Sequence, residues 1–292
     1  MVLTGENINI VSKKIGLAIK NKEAKPIQEM AVKEKEAGMD YLDINLGPAR
    51  KQGPEIMEWL VKTVQEVVDL PLFLDTSNVE ALEAGLRVHQ GKAVINSISC
   101  RPERMEALFP LVKKYDAGFV GLLVGIEGIP RDAGERGVLA AGLLGKASEY
   151  GIPNEDIWID PIILPVSSQQ NQVKSFIEFM QMFQELAPGC GFTCGLSNIS
   201  NGAPENLRPL LNRTCFIMLQ KYGMTSAIVD AFDLELVRTA RGERENLKKL
   251  VWDVMEGKEP PADELNPEEV DYLKTTKVLL GHFLYSHSWL KV

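Results

Sequence analysis

The chain has 292 residues, 45% hydrophobic and 25% charged, with a formal net charge of −8. That composition supports an ordinary globular core and permits one large barrel or two smaller domains. The acidity argues against nucleic acid or an anionic membrane surface as a partner. No apolar run approaches the roughly 18 residues of a membrane span, and Met1-Val2-Leu3 opens no signal-peptide pattern. A cytoplasmic protein is expected.

Strand-like and helix-like patterns then alternate. A first strand is expected near Gly5–Ile10, followed by a polar helix over Lys22–Ala37 that Gly38 terminates. Strand Tyr41–Asn45 leads to helix Gly53–Val68, with Asp69 and Pro71 as breakers. Strand Leu72–Asp75 leads to helix Val79–His89, for which Asn78 is an N-cap. Strand Ala93–Asn96 precedes helix Pro102–Lys114. Strand Gly118–Val124 runs into a glycine-rich loop over 125–137, before helix Val138–Tyr150. Strand Ile157–Asp160 is stiffened behind by Pro161 and Pro165, and helix Gln170–Leu186 follows. A seventh strand ends near Ser197, helix Arg208–Tyr222 stops at Gly223, and strand Ser226–Val229 ends in Asp230.

Eight β/α repeats point to an α/β fold of the TIM (β/α)8 barrel type rather than a doubly wound sheet. Neither G-x-G-x-x-G nor G-x-x-x-x-G-K-[ST] is present, so the dinucleotide and P-loop signatures are missing. Residues 1–246 are read as the barrel and 247–292 as a C-terminal helical extension. That extension holds helices Leu247–Glu256 and Glu268–Lys291 and the aromatics Trp252, Phe283, Tyr285 and Trp289, and is expected to pack on the barrel or a dimer partner.

Cys100, Cys190, Cys194 and Cys215 lack zinc-ligand spacing, and His89, His282 and His287 form no cluster, so no metal is expected. The chemistry concentrates at strand ends, where a barrel places its site. Asp75, Asn96 and Asp160 each close an apolar run, and Asn198 lies in Gly195-Leu196-Ser197-Asn198-Ile199-Ser200. Amides and carboxylates with no nearby His or Lys suit a flat heterocycle rich in N–H and C=O groups. Asn78 can cap its helix alone, which leaves Asp75 free. Gly195 permits close backbone approach, and Arg208 could hold a ligand carboxylate. Glu6 and Asn9 on the first strand, and Asp43 and Asn45 on the second, are lesser candidates that could simply satisfy one another. The charged stretch Lys22–Glu36 reads as a solvated helix face.

Taken in order, Gly5-Glu6-Asn7-Ile8-Asn9, Asp43-Ile44-Asn45-Leu46-Gly47, Leu74-Asp75-Thr76-Ser77-Asn78, Ile95-Asn96-Ser97, Ile159-Asp160-Pro161 through Pro165, Gly195 to Ser200 and Arg208 to Arg213 resemble one family. They are similar to methyltetrahydrofolate:corrinoid protein methyltransferases and to the folate domain of cobalamin-dependent methionine synthase, over roughly residues 3–240. The resemblance implies a pterin-binding barrel of the dihydropteroate synthase-like type, usually a homodimer. It implies that Asp75, Asn96 and Asp160 hold the pterin and that Asn198 hydrogen-bonds N5, the atom that carries the methyl. It places Gly195, Ser197, Arg208, Asn9 and Glu6 around tetrahydrofolate or 5-methyltetrahydrofolate, the substrate. The chain has no D-x-H-x-x-G run, so a cobalamin (corrinoid) would arrive on a separate corrinoid-binding protein, with loop 125–137 and segment 199–207 as expected contacts.

Methyl transfer from a methylated corrinoid protein to tetrahydrofolate, in a demethylation system, is the favoured direction. The extended tail and Ser97-Ile98-Ser99 point that way. Three alternatives stay open: transfer to a corrinoid/iron–sulfur protein in acetyl-CoA synthesis, dihydropteroate synthase, and a non-catalytic folate-binding subunit. Dihydropteroate synthase would want a late Ser-x-Lys, where this chain reads Ser197-Asn198-Ile199-Ser200. A Schiff-base aldolase would need a strand-end lysine, and none is found.

Overall fold

The computed structural model describes residues 1–48, 52–183 and 187–291. Its elements in chain order are β1 (Val2–Asn9), α1 (Lys13–Asn21), α2 (Ala24–Glu36), β2 (Tyr41–Gly47), α3 (Gly53–Gln65), β3 (Leu72–Thr76), α4 (Val79–Val88), β4 (Val94–Ser99), α5 (Pro102–Lys114), β5 (Gly118–Leu122) and α6 (Ala133–Glu149). They continue with β6 (Ile157–Asp160), α7 (Val166–Gln169), α8 (Asn171–Phe183), β7 (Gly191–Phe192), α9 (Arg208–Gln220), β8 (Ser226–Val229), α10 (Leu234–Ala240), α11 (Glu245–Met255) and α12 (Pro267–Leu279).

The strands are parallel and lie in the order β7-β6-β5-β4-β3-β2-β1-β8. The two ends of the sheet meet beyond β7, where Ile228 N donates to Cys194 O at 2.9 Å and Gly195 bridges Ile228. An eight-stranded TIM barrel results, with helices outside.

Alternate side chains fill its interior. Phe73 and Trp158 stack with centroids 5.1 Å apart, and Tyr41 meets both edge-on. Val94, Val120 and Ile228 complete this layer. Gly191 makes the layer fit, because a Cβ there would lie 2.0 Å from Trp158 Cδ1. Two residues further along β3 and β4 the interior turns polar, at Asp75 and Asn96; Asp75 pairs in register with Asn96 on one side and with Asn45 of β2 on the other. An aromatic floor thus lies beneath a polar mouth.

Several boundaries differ from the sequence expectation. The first connection holds two helices where one was expected. In α1, Ile15, Ala18 and Ile19 are buried, but Lys13, Lys14 and Lys20 mask that narrow apolar face. The stretch Lys22–Glu36 is not simply a solvated face, because Glu34 within it is fully buried. Helix α6 begins at Ala133, capped by the Asp132 side chain accepting from Glu135 N at 2.9 Å. Residues 133–137, expected in a glycine-rich loop, are therefore its first turn. Strand seven ends at Phe192, and Leu196–Ser200 winds into a 3-10 turn instead of extending to Ser197. The expected helix over Gln170–Leu186 is α8, ending at Phe183; residues 184–186 lie outside the described residues.

At the C-terminus the helix expected over Glu268–Lys291 stops at Leu279, where Gly281 takes φ +78°. The chain beyond folds back onto the barrel. The Gln170 amide donates to the carbonyls of Val278 and Phe283, each at 2.6 Å, and accepts from Tyr285 N at 3.0 Å. Trp289 Nε1 donates to Thr275 Oγ1 at 2.9 Å, and Trp252 Nε1 donates to Ile217 O of α9, also at 2.9 Å.

Candidate active site

The mouth has two halves. On β2, β3 and β4 four side chains form two bonded pairs. Asn96 Nδ2 donates to Asp43 Oδ1 at 2.9 Å, and Asn45 Nδ2 donates to Asp75 Oδ2. Period-two alternation on adjacent parallel strands brings them together. Asp43 and Asp75 are both held back from ionising, chiefly by burial. Asp75 is raised to about 7, with the Asn45 bond opposing. Asp43 is raised well above the usual carboxylate range, by burial first and then by the Asp75 charge beside it. Asp160 closes β6, level with Leu122 of β5. Its Oδ1 accepts from Ile162 N at 2.8 Å, and burial lifts the carboxyl to about 7.

The other half is a cleft of about 730 Å³ between the ends of β1, β8 and the turn after β7. Glu6, Asn9, Ser197, Asn198, Arg208 and Asp230 are among its lining. Glu6 lies at an irregularity where the β1–β2 register shifts between Gly5 and Ile8. Its Oε1 accepts from Ser197 Oγ at 2.6 Å across the mouth, and burial raises its pKa. Beneath the bulge, Asn7 N donates to the buried Glu34 Oε1 at 3.0 Å, and the Asn7 side chain reaches Asp230 at 2.8 Å. Burial pushes Glu34 up to about 8, and its other oxygen has no partner among the described residues.

Asn198 sits exposed on the 3-10 turn. Its only bond as an acceptor through the side chain among the described residues is a long one, from Asn201 Nδ2 to Oδ1 at 3.3 Å. Gly195 keeps this turn tight, since a Cβ there would lie 3.3 Å from Asn198 Nδ2. Arg208, at the start of α9, donates through Nε to Ser200 Oγ at 3.2 Å and pairs with Glu205 at 3.6 Å. Asn9 turns its carbonyl to Val11 N at 3.0 Å.

The structure therefore gathers Glu6, Asn9, Ser197, Asn198 and Arg208 on one cleft, and puts Asp75, Asn96 and Asp160 on the facing strand ends, outside that cleft's lining. Sequence reasoning gave no role to Glu34 and Arg136, both buried beneath this mouth. A charged run hid the first, and a glycine-rich segment the second. Among the described residues no group of His, Cys, Asp and Glu is arranged to hold a metal ion, and no helix is long and apolar enough to cross a membrane.

Solved structures share this fold. Dihydropteroate synthase from Thermus thermophilus superposes with a TM-score of 0.63 at 18% identity, covering 84% of this chain and 94% of that one. A Xanthomonas albilineans dihydropteroate synthase holding 7,8-dihydropteroate gives 0.59 at 15% identity, over 82% and 93%. Among curated sequences, the methylcorrinoid:tetrahydrofolate methyltransferase of Eubacterium limosum is 29% identical over 232 residues, 79% of this chain and 85% of the relative. The methionine synthase of Mycobacterium tuberculosis is 29% identical over 239 residues, 78% of this chain but 20% of that longer protein. Residues 6–230 match the family described as pterin binding enzyme. With that match running from β1 to the residue after β8, across every strand that builds the mouth, the chain belongs to the pterin binding enzymes.

Proposed function

We propose that the protein transfers a methyl group from the methylated corrinoid of a partner protein to N5 of tetrahydrofolate, as part of a demethylation system. One observation carries this: an acid–amide set of half-buried Asp75 and Asn96 and buried Asp160 faces an exposed, nearly unengaged amide at Asn198 across the same barrel mouth. The 29% identity to a methylcorrinoid:tetrahydrofolate methyltransferase supports the reaction class.

Carboxylates at Asp75 and Asp160 accept N–H groups from the pterin's 2-amino and ring positions, while the Asn96 amide serves either a carbonyl or an N–H. The partner's corrinoid supplies an electrophilic methyl group; the N5 lone pair takes it, and the cobalt retains the electron pair of the broken bond. N5 becomes cationic as the bond forms and then gives up its proton to solvent, leaving neutral 5-methyltetrahydrofolate. The Asn198 carbonyl then meets either a proton on N5 or the developing charge, an interaction that strengthens along the reaction. In the reverse direction the same bond favours protonated N5, from which the methyl leaves. The rest of the rate comes from holding two large cofactors in line.

Within this reading the barrel over 1–246 does the chemistry and the 247–292 extension braces it. Loop residues 125–132 and segment 199–207 meet the corrinoid protein. A homodimer is proposed from the resemblance, and a cytoplasmic location from the sequence pattern. A dihydropteroate synthase assignment has only the fold in its favour, because the turn after β7 carries no lysine.

The test is anaerobic: purified protein, methylcobalamin and tetrahydrofolate, with methylcobalamin loss followed spectrophotometrically. Formation of cob(I)alamin and 5-methyltetrahydrofolate is expected. Folate binding without turnover, even with methylated corrinoid proteins supplied, would favour a binding subunit. No folate binding would remove the assignment.

A further inference from the structure

Arg136, on the first turn of α6, is 0% exposed. Burying a guanidinium is costly unless its donors and its charge are met. Its donors are met by neutral oxygens: Nε by Pro161 O at 2.9 Å, and the two terminal nitrogens by Ser175 Oγ at 2.5 Å and Gln172 Oε1 at 2.9 Å. Among the described residues no carboxylate pairs with it directly. The charges that reach it are Asp132 and Glu135 on its own helix and Asp160 at the end of β6, while α8 turns only the neutral Gln172 and Ser175 toward it. Asp132 already caps α6, and Glu135 already pairs with Arg131. Asp160 is the buried partner of the three.

Pro161, whose carbonyl Arg136 holds, directly follows Asp160 in the chain. The next residue, Ile162, takes φ +62°, a region that β-branched side chains rarely enter, and its N–H returns to Asp160 Oδ1. The carboxyl thus rides on a tight, unfavourable turn that is anchored from behind. We propose that Arg136 is the positioning residue of the pterin site: it clamps the Pro161 turn to α8 and places a positive charge behind Asp160, so that this carboxyl is presented ionised to the ligand's N–H groups. This rests on the assignment of Asp160 to pterin binding. Burial raises the Asp160 pKa and Arg136 opposes that rise. The other titratable neighbour is the Cys194 thiol, which burial keeps neutral, so removing Arg136 leaves burial opposed only by the backbone N–H groups of Ile162 and Gly195.

The experiment is calorimetric titration of tetrahydrofolate between about pH 6 and 9, with turnover on saturating folate measured beside it. For Arg136→Met we expect affinity at pH 7 to fall about tenfold and the pH midpoint of binding to rise by about one unit. Turnover at saturation should change less than about threefold, because Asn198 is untouched. Arg136→Lys keeps the charge without the fork; it should hold the wild-type midpoint while losing affinity. An apolar side chain of similar volume commonly preserves a fold that carried a buried charge. Should Arg136→Met not fold, Arg136→Lys compared with Ser175→Ala and Gln172→Ala decides the matter. Wild-type affinity and midpoint in all three would overturn the proposal. Equal midpoint shifts in Arg136→Met and Arg136→Lys would overturn the counter-charge. Wild-type protein that binds no folate would instead overturn the pterin assignment, and the proposal with it.

Discussion

The two halves of the mouth are built on opposite plans. On β2, β3 and β4 the polar groups sit on regular strands, half-buried or buried and bonded to one another: Asn45 to Asp75 and Asn96 to Asp43. On the turn after β7, Asn198 is exposed and held by one long bond. A group that must recognise a rigid ring benefits from being fixed before the ring arrives. A group that must meet a charge that appears only during reaction benefits from a carbonyl not already committed. On the proposed function, affinity belongs to the first half and rate to the second.

Mutations can break that division. Asn198→Ala should cost about 2–4 kcal/mol at the barrier while folate affinity stays within a few fold. Steady-state turnover beside calorimetric binding checks this, and an affinity loss as large as the rate loss would dissolve the distinction. Asp75→Asn and Asp160→Asn should do the reverse, weakening folate binding by about 2–3 kcal/mol and leaving turnover at saturation much less affected. They should also flatten the pH dependence of binding. Both carboxyls titrate at about 7, so wild-type affinity should fall as the pH drops below neutrality.

Glu34 sharpens the comparison from beneath. Its pKa rises from 4.5 unfolded to about 8 folded, so the folded state holds a proton that the unfolded state has lost over that window. Stability therefore declines as pH rises from about 4.5 to 8 and levels off above it. Glu34→Gln should make that decline shallower, leaving the variant about 2–3 kcal/mol ahead at pH 7 relative to its standing at pH 5. Denaturant melts at both pH values measure it. Asp43, Asp75 and Asp160 shift in the same direction and should leave a residual slope. The smallest effect is expected from Ser197→Ala, which removes one bond to Glu6 and should cost about 1 kcal/mol or less in stability.

The strand ends were legible in the sequence because each reads as an apolar run stopped by a polar residue, and β3 and β6 stop at or within a residue of Asp75 and Asp160, while β4 carries Asn96 at its third position. Asp43 and Asn45 were visible as partners for the same reason of period. What stayed hidden depended on contacts distant in the chain. Arg136 is explained only by Pro161, Gln172 and Ser175, which lie on other elements, and its own neighbours are glycines that suggest a loop. Glu34 falls in a run of lysines and glutamates whose pattern says solvent. Only the kink between Gly5 and Ile8 reveals the space it fills, where a Cβ at Gly5 would lie 2.3 Å from its Oε1.

The stacked Phe73–Trp158 pair, with Tyr41 across it, closes the far end of the barrel. On the proposed function, whatever binds at the strand ends enters and leaves by the face over which the corrinoid protein settles. On the proposed reaction, traffic is then compulsory in its order: folate boards first, the methyl donor covers it, and the product stays captive until the donor lifts away. Too much partner should slow the cycle, and turnover plotted against its concentration should rise, crest and fall.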